Sequence, residues 1–226
     1  MNAAIRTSPL HAALSALNPR WETYQGMQVP LSMGSVVHLE TVALTDLSCL
    51  KRFGLKGAGA EKWLQEQGVP VPPAINQRGP LGQRGLIARL ATTEFFIEDG
   101  SAAENNADQL RDRLQRGLPG VTPVLRQDAE IAMAGPASYE ILAQTCSVNF
   151  TALDLAARPL VMTSMIGVSV LVIPGLWEGK LLFRIWCDGT FAPYLWEHLL
   201  EIAQDLGGGA VGIGALFPNL IREQKP

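Results

Sequence analysis

Cys49, Cys146 and Cys187 are the side chains that could act as thiol nucleophiles, and His11, His38 and His198 are the natural bases to activate them. A thiolate needs its base within hydrogen-bond reach, yet no spacing in the chain sets one of these cysteines against one of these histidines. Neither C-x-x-C nor a Cys/His ligand spacing occurs, so no metal site is expected, and an odd number of cysteines cannot close a complete disulfide framework. Cys187, beside Trp186 in an apolar run, reads as a small core residue. Gly57-Ala58-Gly59-Ala60 follows a dinucleotide loop only as far as the third position of G-x-G-x-x-G, which is Lys62. Gly207-Gly208-Gly209, with Gly212 and Gly214 behind it, follows a helix instead of opening one and so reads as a flexible connection. Arg84, Arg89 and Arg184 could face a carboxylate substrate; a solvated surface or an ion pair between subunits is the simpler account. No catalytic, cofactor-binding or metal-ligating residue is expected in this chain.

Aromatic residues are the one unusual concentration. Trp177, Phe183, Trp186, Phe191, Tyr194 and Trp196 fall within one short stretch, and core packing accounts for most of them because a strand or helix buries one face. Phe191 and Leu195 share a helix face, which leaves Tyr194 and Trp196 as the expected partner surface, where such residues are enriched.

The elements that would carry these residues come from patterning. At 226 residues and 47% apolar, the chain has ample material for a core. Its net charge of −3, from 18 basic and 21 acidic residues mixed along the chain, offers no field for nucleic acid or anionic lipid. The most apolar run, Leu160 to Ile173, is interrupted by Thr163, Ser164 and Gly167 and is shorter than the roughly 20 residues of a membrane span, so it reads as buried strand. The start of the chain lacks the continuous apolar centre of an export signal, and a cytoplasmic location is expected.

Residues 1–38 carry no sustained period and read as an arm, with a short helix near Leu10 to Leu17 opened by Ser8 and Pro9. A strand at Phe53 to Gly57 then turns into a helix with Ala60, Trp63 and Leu64 on its buried stripe, stopped by Gly68. Residues 76–85 read as a loop, 86–90 and 94–98 as a hairpin, and Ser101-Ala102-Ala103-Glu104 as a capping box opening a helix. The order then repeats. Ile131 to Ala134 is strand-like, Gly135-Pro136-Ala137 opens a helix carrying Ile141 and Leu142, 165–173 pairs with 181–186, and a last helix starts from Thr190. Gly57 matches Gly135 at a shift of 135 − 57 = 78, and Phe95 matches Phe183 at 183 − 95 = 88. The simplest account is an α+β chain of two tandem β-α-β-β-α subdomains with antiparallel or mixed sheets, divided as an arm at 1–38, a first subdomain at 39–120 and a second at 121–226.

The run Thr45-Asp46-Leu47-Ser48 through Arg52-Phe53-Gly54-Leu55-Lys56-Gly57 to Ala60-Glu61-Lys62-Trp63-Leu64 resembles the opening of the aminomethyltransferase (glycine-cleavage T-protein) superfamily. It is similar in particular to the sarcosine oxidase gamma-subunit branch, with D-L-S, R-F-G-x-K-G and A-x-x-W-L in order. Arg6-Thr7-Ser8-Pro9-Leu10, Ala134-Gly135-Pro136-Ala137 and the helix from Tyr194 to Leu200 fit that branch too. The resemblance implies a GcvT-like folate-binding-type fold without a third, barrel-like domain. It further implies a non-catalytic subunit of a heterotetramer that oxidatively demethylates sarcosine or a related N-methyl amine. Its partners would be flavoprotein alpha and beta subunits and a small delta subunit, which would carry FAD, FMN, NAD and tetrahydrofolate.

Folate-dependent members are expected to carry a G-x-x-x-D-D-like acidic stretch and an R-T-G-Y-T-G-E-like run. Here Leu81 to Leu90 holds no carboxylate, and Ile173-Pro174-Gly175-Leu176-Trp177-Glu178-Gly179-Lys180 keeps the glycines, loses the arginine and displaces the acid. The K-G-C-Y-x-G-Q-E-like motif of the iron-sulfur-supporting branch is absent. A free-standing folate-dependent aminomethyltransferase and a solitary folate-binding module remain the alternatives.

Overall fold

The computed structural model describes residues 5–114, 117–177 and 179–222. Its N-terminal segment forms strand β1 (Arg6–Thr7), helix α1 (His11–Ser15) and strands β2 (Arg20–Tyr24) and β3 (Met27–Ser32). Gln25 and Gly26 take φ of 49° and 74°, the primed turn that matches strand twist, so β2 folds straight back into β3. The Ser8 side chain accepts the Leu10 N–H at 3.1 Å and its carbonyl accepts the His11 N–H, a turn that delays α1 by two residues from the expected start, so that Leu10 and not Ser8 is the N-cap. This segment is a three-stranded sheet and not a loose arm, and Leu10 and Leu14 are wholly buried. Its strands are too short, and β3 buries too many consecutive residues, for a period to show.

A 3-10 turn at Val36–Glu40 leads to β4 (Ala43–Asp46), followed by β5 (Arg52–Lys56), α2 (Ala60–Glu66), β6 (Gln77–Leu81), β7 (Gly85–Ala91), β8 (Glu94–Glu98), α3 (Asn106–Leu114) and β9 (Thr122–Val124). The second half runs β10 (Ala129–Ala134), α4 (Ser138–Thr145), β11 (Val161–Met165), β12 (Val168–Trp177), β13 (Lys180–Cys187), α5 (Ala192–Asp205), β14 (Gly209–Ala210), α6 (Ile213–Leu216) and α7 (Pro218–Arg222). Among the described residues no helix is long and apolar enough to cross a membrane.

The chain divides into two units. The smaller, 50–127 with 156–160, holds an antiparallel sheet in the order β6-β7-β8-β5-β9. Phe53, Leu55, Ile87, Phe95 and Ile97 alternate onto one face and meet Trp63, Leu64, Leu110 and Leu114 from α2 and α3 in a single core. The larger unit, 5–49 with 128–155 and 161–222, holds a mixed sheet in the order β11-β12-β13-β10-β4-β14, in which only the β4–β14 pair is parallel. Leu44, Ile131, Met133, Val172, Phe183 and Ile185 pack there against Ile141 and Leu142 of α4 and Leu195, Trp196 and Leu199 of α5. The α+β class with antiparallel and mixed sheets is what the pattern calls for, with one more strand in each repeat.

That division differs from boundaries at 38 and 120 because the repeats exchange their leading strands. β4 runs directly into β5, yet pairs with β10; β9 runs directly toward β10, yet pairs with β5. The matched glycines explain how each exchanged strand enters. Gly57 (φ 128°) would place a Cβ 2.2 Å from the Gly120 carbonyl oxygen, and Gly135 (φ 122°) would place one 2.4 Å from that of Thr41. Two residues on, the N–H of Gly59 donates to that Gly120 oxygen and the N–H of Ala137 to that of Thr41, both at 3.0 Å. Only a residue without Cβ lets the backbones approach this closely.

Three further differences have local causes. Residues 77–81 form β6, because pairing with β7 overrides the turn-rich composition Gln-Arg-Gly-Pro-Leu. The apolar run 160–173 is broken by Ile166 (φ 44°) and Gly167 (φ 86°) into β11 and β12. Gly207-Gly208-Gly209 is no loose linker, since Gly208 sits where a Cβ would lie 2.1 Å from the Val42 carbonyl oxygen and Gly209 pairs with Ala43.

Candidate functional site

The arginines are spent inside the units. Arg89 is buried on β7 and its two Nη groups fork onto the Glu61 carboxylate at 3.1 and 2.7 Å and also donate to the carbonyls of Pro72 and Thr92, while the guanidinium carbon lies 5.4 Å from the Phe95 ring centroid. Arg184 on β13 donates to Glu130 on β10 at 2.5 Å and lies over the Trp186 ring. A guanidinium held by a bidentate carboxylate has little left to offer a substrate. Neither arginine is a solvated surface charge, which replaces the expectation from sequence. Arg84, half-buried in the β6–β7 turn, offers its backbone N–H to Glu104 at 2.9 Å.

That turn is the stretch where an acid is expected in folate-dependent relatives, and here a carboxylate reaches it from outside the stretch. One Glu104 oxygen accepts from the N–H groups of Gln83, Arg84 and Gly85, and the other accepts from Gly100 at 2.6 Å. Glu104 is therefore occupied with the turn instead of capping a helix at Ser101. α3 starts at Asn106, where Asp99 supplies the cap by accepting from the N–H groups of Asn106 and Ala107. Burial pushes the Asp99 carboxyl above its ordinary value, against the opposing pull of those hydrogen bonds, and the neighbouring Glu104 charge adds to the rise.

The second stretch forms the far end of the β12–β13 hairpin, with Pro174 opposite Phe183 and Leu176 opposite Leu181. Glu178, the displaced acid, lies outside the described residues, and so does the side chain of Trp177. In the larger unit a cleft of about 250 Å3 is lined by Leu39, Ala134, Lys180 and Leu216, among others, with Lys180 the one charged group among the described residues. A more open cleft of about 350 Å3 runs along α4 past Tyr139, Cys146 and Phe150. Neither gathers a carboxylate pair or a histidine. Among the described residues no cluster of three or more His, Cys, Asp or Glu is placed to hold a metal ion.

All three cysteines are free thiols. Burial, reinforced by the charges of Asp128 and Asp188, drives the Cys187 thiol up to about 12, so it is no thiolate at neutral pH. Its place is in the apolar core.

The two aromatic candidates part company. Trp196 is 1% exposed and packs in the core of the larger unit, so it cannot form a partner surface. The helix starts at Ala192 with Phe191 as N-cap, so the buried stripe is Ala192, Leu195, Trp196, Leu199 and Ala203, and Phe191 is left outside at 54% exposure. Placing Phe191 on the core face rotates that stripe by one position. Tyr194 is exposed, stacks on His198 at 4.2 Å and points its hydroxyl at the Ile166 carbonyl, 3.4 Å away.

Compared with known proteins, residues 36–218 match the GCVT N-terminal domain. The chain belongs to that family. Within the family, an aminomethyltransferase of Chloroherpeton thalassium is 22% identical over 93% of this chain and 62% of its own length. One from Halothermothrix orenii is 23% identical over 93% and 63%. The chain thus spans under two thirds of these relatives. Its fold is that of the glycine cleavage system aminomethyltransferase T from Bartonella henselae, with a TM-score of 0.75 at 20% identity, covering 93% of this chain and 60% of that one. It also aligns with a chain of the heterotetrameric sarcosine oxidase from Corynebacterium sp. U-96, with a TM-score of 0.62 at 18% identity, covering 90% of this chain and 97% of that one.

The residues that carried the family resemblance are structural in this chain. The Asp46 carboxylate accepts the N–H and hydroxyl of Ser48, whose oxygen accepts the Glu130 N–H at 3.0 Å. The D-L-S run is thus the lock that ties the end of β4 to β10 before the chain crosses into β5. A structural feature missed at the sequence level is the edge strand β11, hidden because 160–173 reads as one strand; Gly167 in its middle is the signal that could have exposed the turn.

Proposed function

We propose that this chain is a non-catalytic structural subunit of a sarcosine oxidase-type flavoenzyme, an assembly that oxidatively demethylates sarcosine or a related N-methyl amine. The observation that carries this role is coverage: the fold aligns over 97% of a chain in a heterotetrameric sarcosine oxidase, against 60% of the aminomethyltransferase. The internal engagement of Arg89, Arg184 and Glu104 supports it, because charged groups that would hold a pterin or a substrate carboxylate are already satisfied. In this role the flavoprotein alpha and beta subunits and a small delta subunit supply FAD, FMN, NAD and tetrahydrofolate sites, and this chain supplies contact surface.

One observation favours a second role. Both curated relatives above are aminomethyltransferases, which points to a folate-dependent transferase or a folate-binding module. Titrating the isolated chain with tetrahydrofolate separates the two: the structural role expects no saturable binding up to millimolar ligand, and micromolar affinity would overturn it. Purification from the native source should recover the chain with a flavoprotein at near-equal stoichiometry.

A further inference from the structure

Each sheet has edges, and an edge strand is a row of main-chain N–H and C=O groups that templates pairing unless it is covered, charged, broken by proline or very short. β1 and β14 are two residues long. β2 carries Arg20 and Glu22, and β9 carries Pro123. β6 contains Arg78 and Pro80 and is also covered: the Arg78 N–H donates to the Arg158 carbonyl at 3.0 Å, the Leu160 N–H donates to the Asn76 carbonyl at 2.9 Å, and Gln77 bridges antiparallel to Pro159. β11 has none of these defences. Val161-Met162-Thr163-Ser164-Met165 is uncharged, lacks proline and, among the described residues, pairs on one side only, with β12.

The turn fixes which groups face out. A two-residue primed turn at Ile166 and Gly167 closes on Met165 and Val168 as a hydrogen-bonded pair. Alternation then makes Thr163 with Val170 and Val161 with Val172 the other bonded pairs. Met162 and Ser164 therefore direct their N–H and C=O groups away from the sheet, and both residues are exposed, Met162 by 53%. Tyr194, also exposed, points its hydroxyl at the Ile166 carbonyl in the turn that ends the strand.

We propose that β11 is a strand-addition site for an extended, antiparallel segment of a partner subunit, uncharged opposite Met162 and Ser164. The occupant is read from the other repeat. β6 holds the same place as β11, first strand after the repeat's first helix and outermost in its sheet, and its edge is covered by just such a segment, 158–160, whose Leu160 is buried. A second copy of the chain fits less well, since two five-residue edges pair far fewer residues than the roughly 20–30 per side of a stable interface. A segment from a larger subunit adds the edge to contacts made elsewhere. This site rests on the subunit role proposed above.

Amide hydrogen exchange on the full chain, alone and coexpressed with the flavoprotein alpha and beta subunits, tests it. The Met162 and Ser164 amides should exchange freely in the chain alone and slow by about 100-fold or more in the complex. Met162→Lys, which places charge on the edge without touching the core, should weaken the complex by about tenfold or more and leave the free chain's unfolding midpoint unchanged. A complex that forms with both amides still exchanging freely overturns the edge site and leaves the subunit role standing. Absence of any flavoprotein complex overturns both. Protection that grows in the chain alone with its concentration assigns the edge to a second copy and overturns the partner segment.

Discussion

The sheets of the two units are built on one plan, and where they agree and disagree separates what the fold requires from what it leaves open. Both set the strand before the repeat's first helix at the inner position, with three later strands on one side and an exchanged strand on the other. Both turn from strand to helix through a glycine at nearly the same φ, 128° and 122°. The buried ion pair between neighbouring strands does not agree. In the smaller unit Arg52 of β5 donates to Glu98 of β8; in the larger, Glu130 of β10 accepts from Arg184 of β13. Positions 52 and 130 differ by 78, the shift that matches Gly57 to Gly135, so this one strand position holds opposite charges in the two repeats; its partner is directly opposite in one, Glu98, and diagonal in the other, Arg184, since Glu130 faces Trp186. A site that recognised a ligand of one sign would not tolerate inversion. Backbone approach is kept, and the sign of the charge is not.

The glycine pair carries the largest expected effect. In Gly57→Ala or Gly135→Ala the new methyl meets a backbone carbonyl at 2.2 or 2.4 Å, in the segment that leads into the exchanged strand, at a φ that alanine resists. Each substitution should cost about 4 kcal/mol or more, read from urea unfolding, by forcing strained backbone and parting an exchanged strand from its partner. Equal losses would support equivalent roles. A loss under about 1 kcal/mol at either position would break the equivalence.

The ion pairs come next. Arg52→Met removes the guanidinium from a Glu98 whose side chain is 1% exposed and should cost about 3–5 kcal/mol, while Arg52→Met with Glu98→Leu should recover most of that. The sharper experiment is the double exchange Arg52→Glu with Glu98→Arg, which gives position 52 the sign that position 130 carries and keeps its directly opposite partner complementary. If the site is indifferent to sign, unfolding stability should stay within about 2 kcal/mol of the parent and well above the single Arg52→Met change.

Local chemistry was legible from sequence wherever one residue settles one contact. Gly57 and Gly135 announce their turns, Gly68 ends α2, and the stripe Ala60, Trp63 and Leu64 is buried as spaced. What sequence order hides is pairing over distance. β4 and β9 lie next to the strands they precede in the chain and pair with others, so boundaries drawn along the chain cannot coincide with units in space. Glu104 shows the same limit on a smaller scale: its place after Ser101 suits a capping box, yet three N–H groups from a turn about twenty residues earlier outbid the helix. Trp196 is misplaced by counting Phe191 on the core face: with Phe191 as N-cap instead of Thr190, the buried stripe is centred on Ala192, Leu195, Trp196 and Leu199. For the site, sequence supplied mostly missing chemistry, and the edge of β11 became visible only when the turn at Ile166 and Gly167 had split one apolar run into two strands.

The smallest expected effect concerns the aspartates that follow the last strand of each repeat, Asp99 after β8 and Asp188 after β13. Asp99 is buried and caps α3, and burial holds its carboxyl above the ordinary value of 3.8. Asp188 is exposed and held below 3.8 by hydrogen bonds from the side chain and backbone of Thr190. The signs follow by linkage. Above 3.8 and through the raised Asp99 value, the folded chain holds more protons than the unfolded one, so Asp99 makes stability fall as pH rises. Below 3.8 the unfolded chain holds more protons than the folded one at Asp188, so that contribution is present above 3.8 and is lost as pH falls through the lowered folded value. Asp99→Asn, which keeps an acceptor for the Asn106 and Ala107 N–H groups, should remove a decline in unfolding free energy on the neutral side of 3.8. Asp188→Asn should flatten a rise on the acid side. Denaturant unfolding at several pH values from acid to neutral measures both slopes, and two variants that shift the profile in the same direction would show that equivalent positions in the two repeats do not differ in burial as the structure has them.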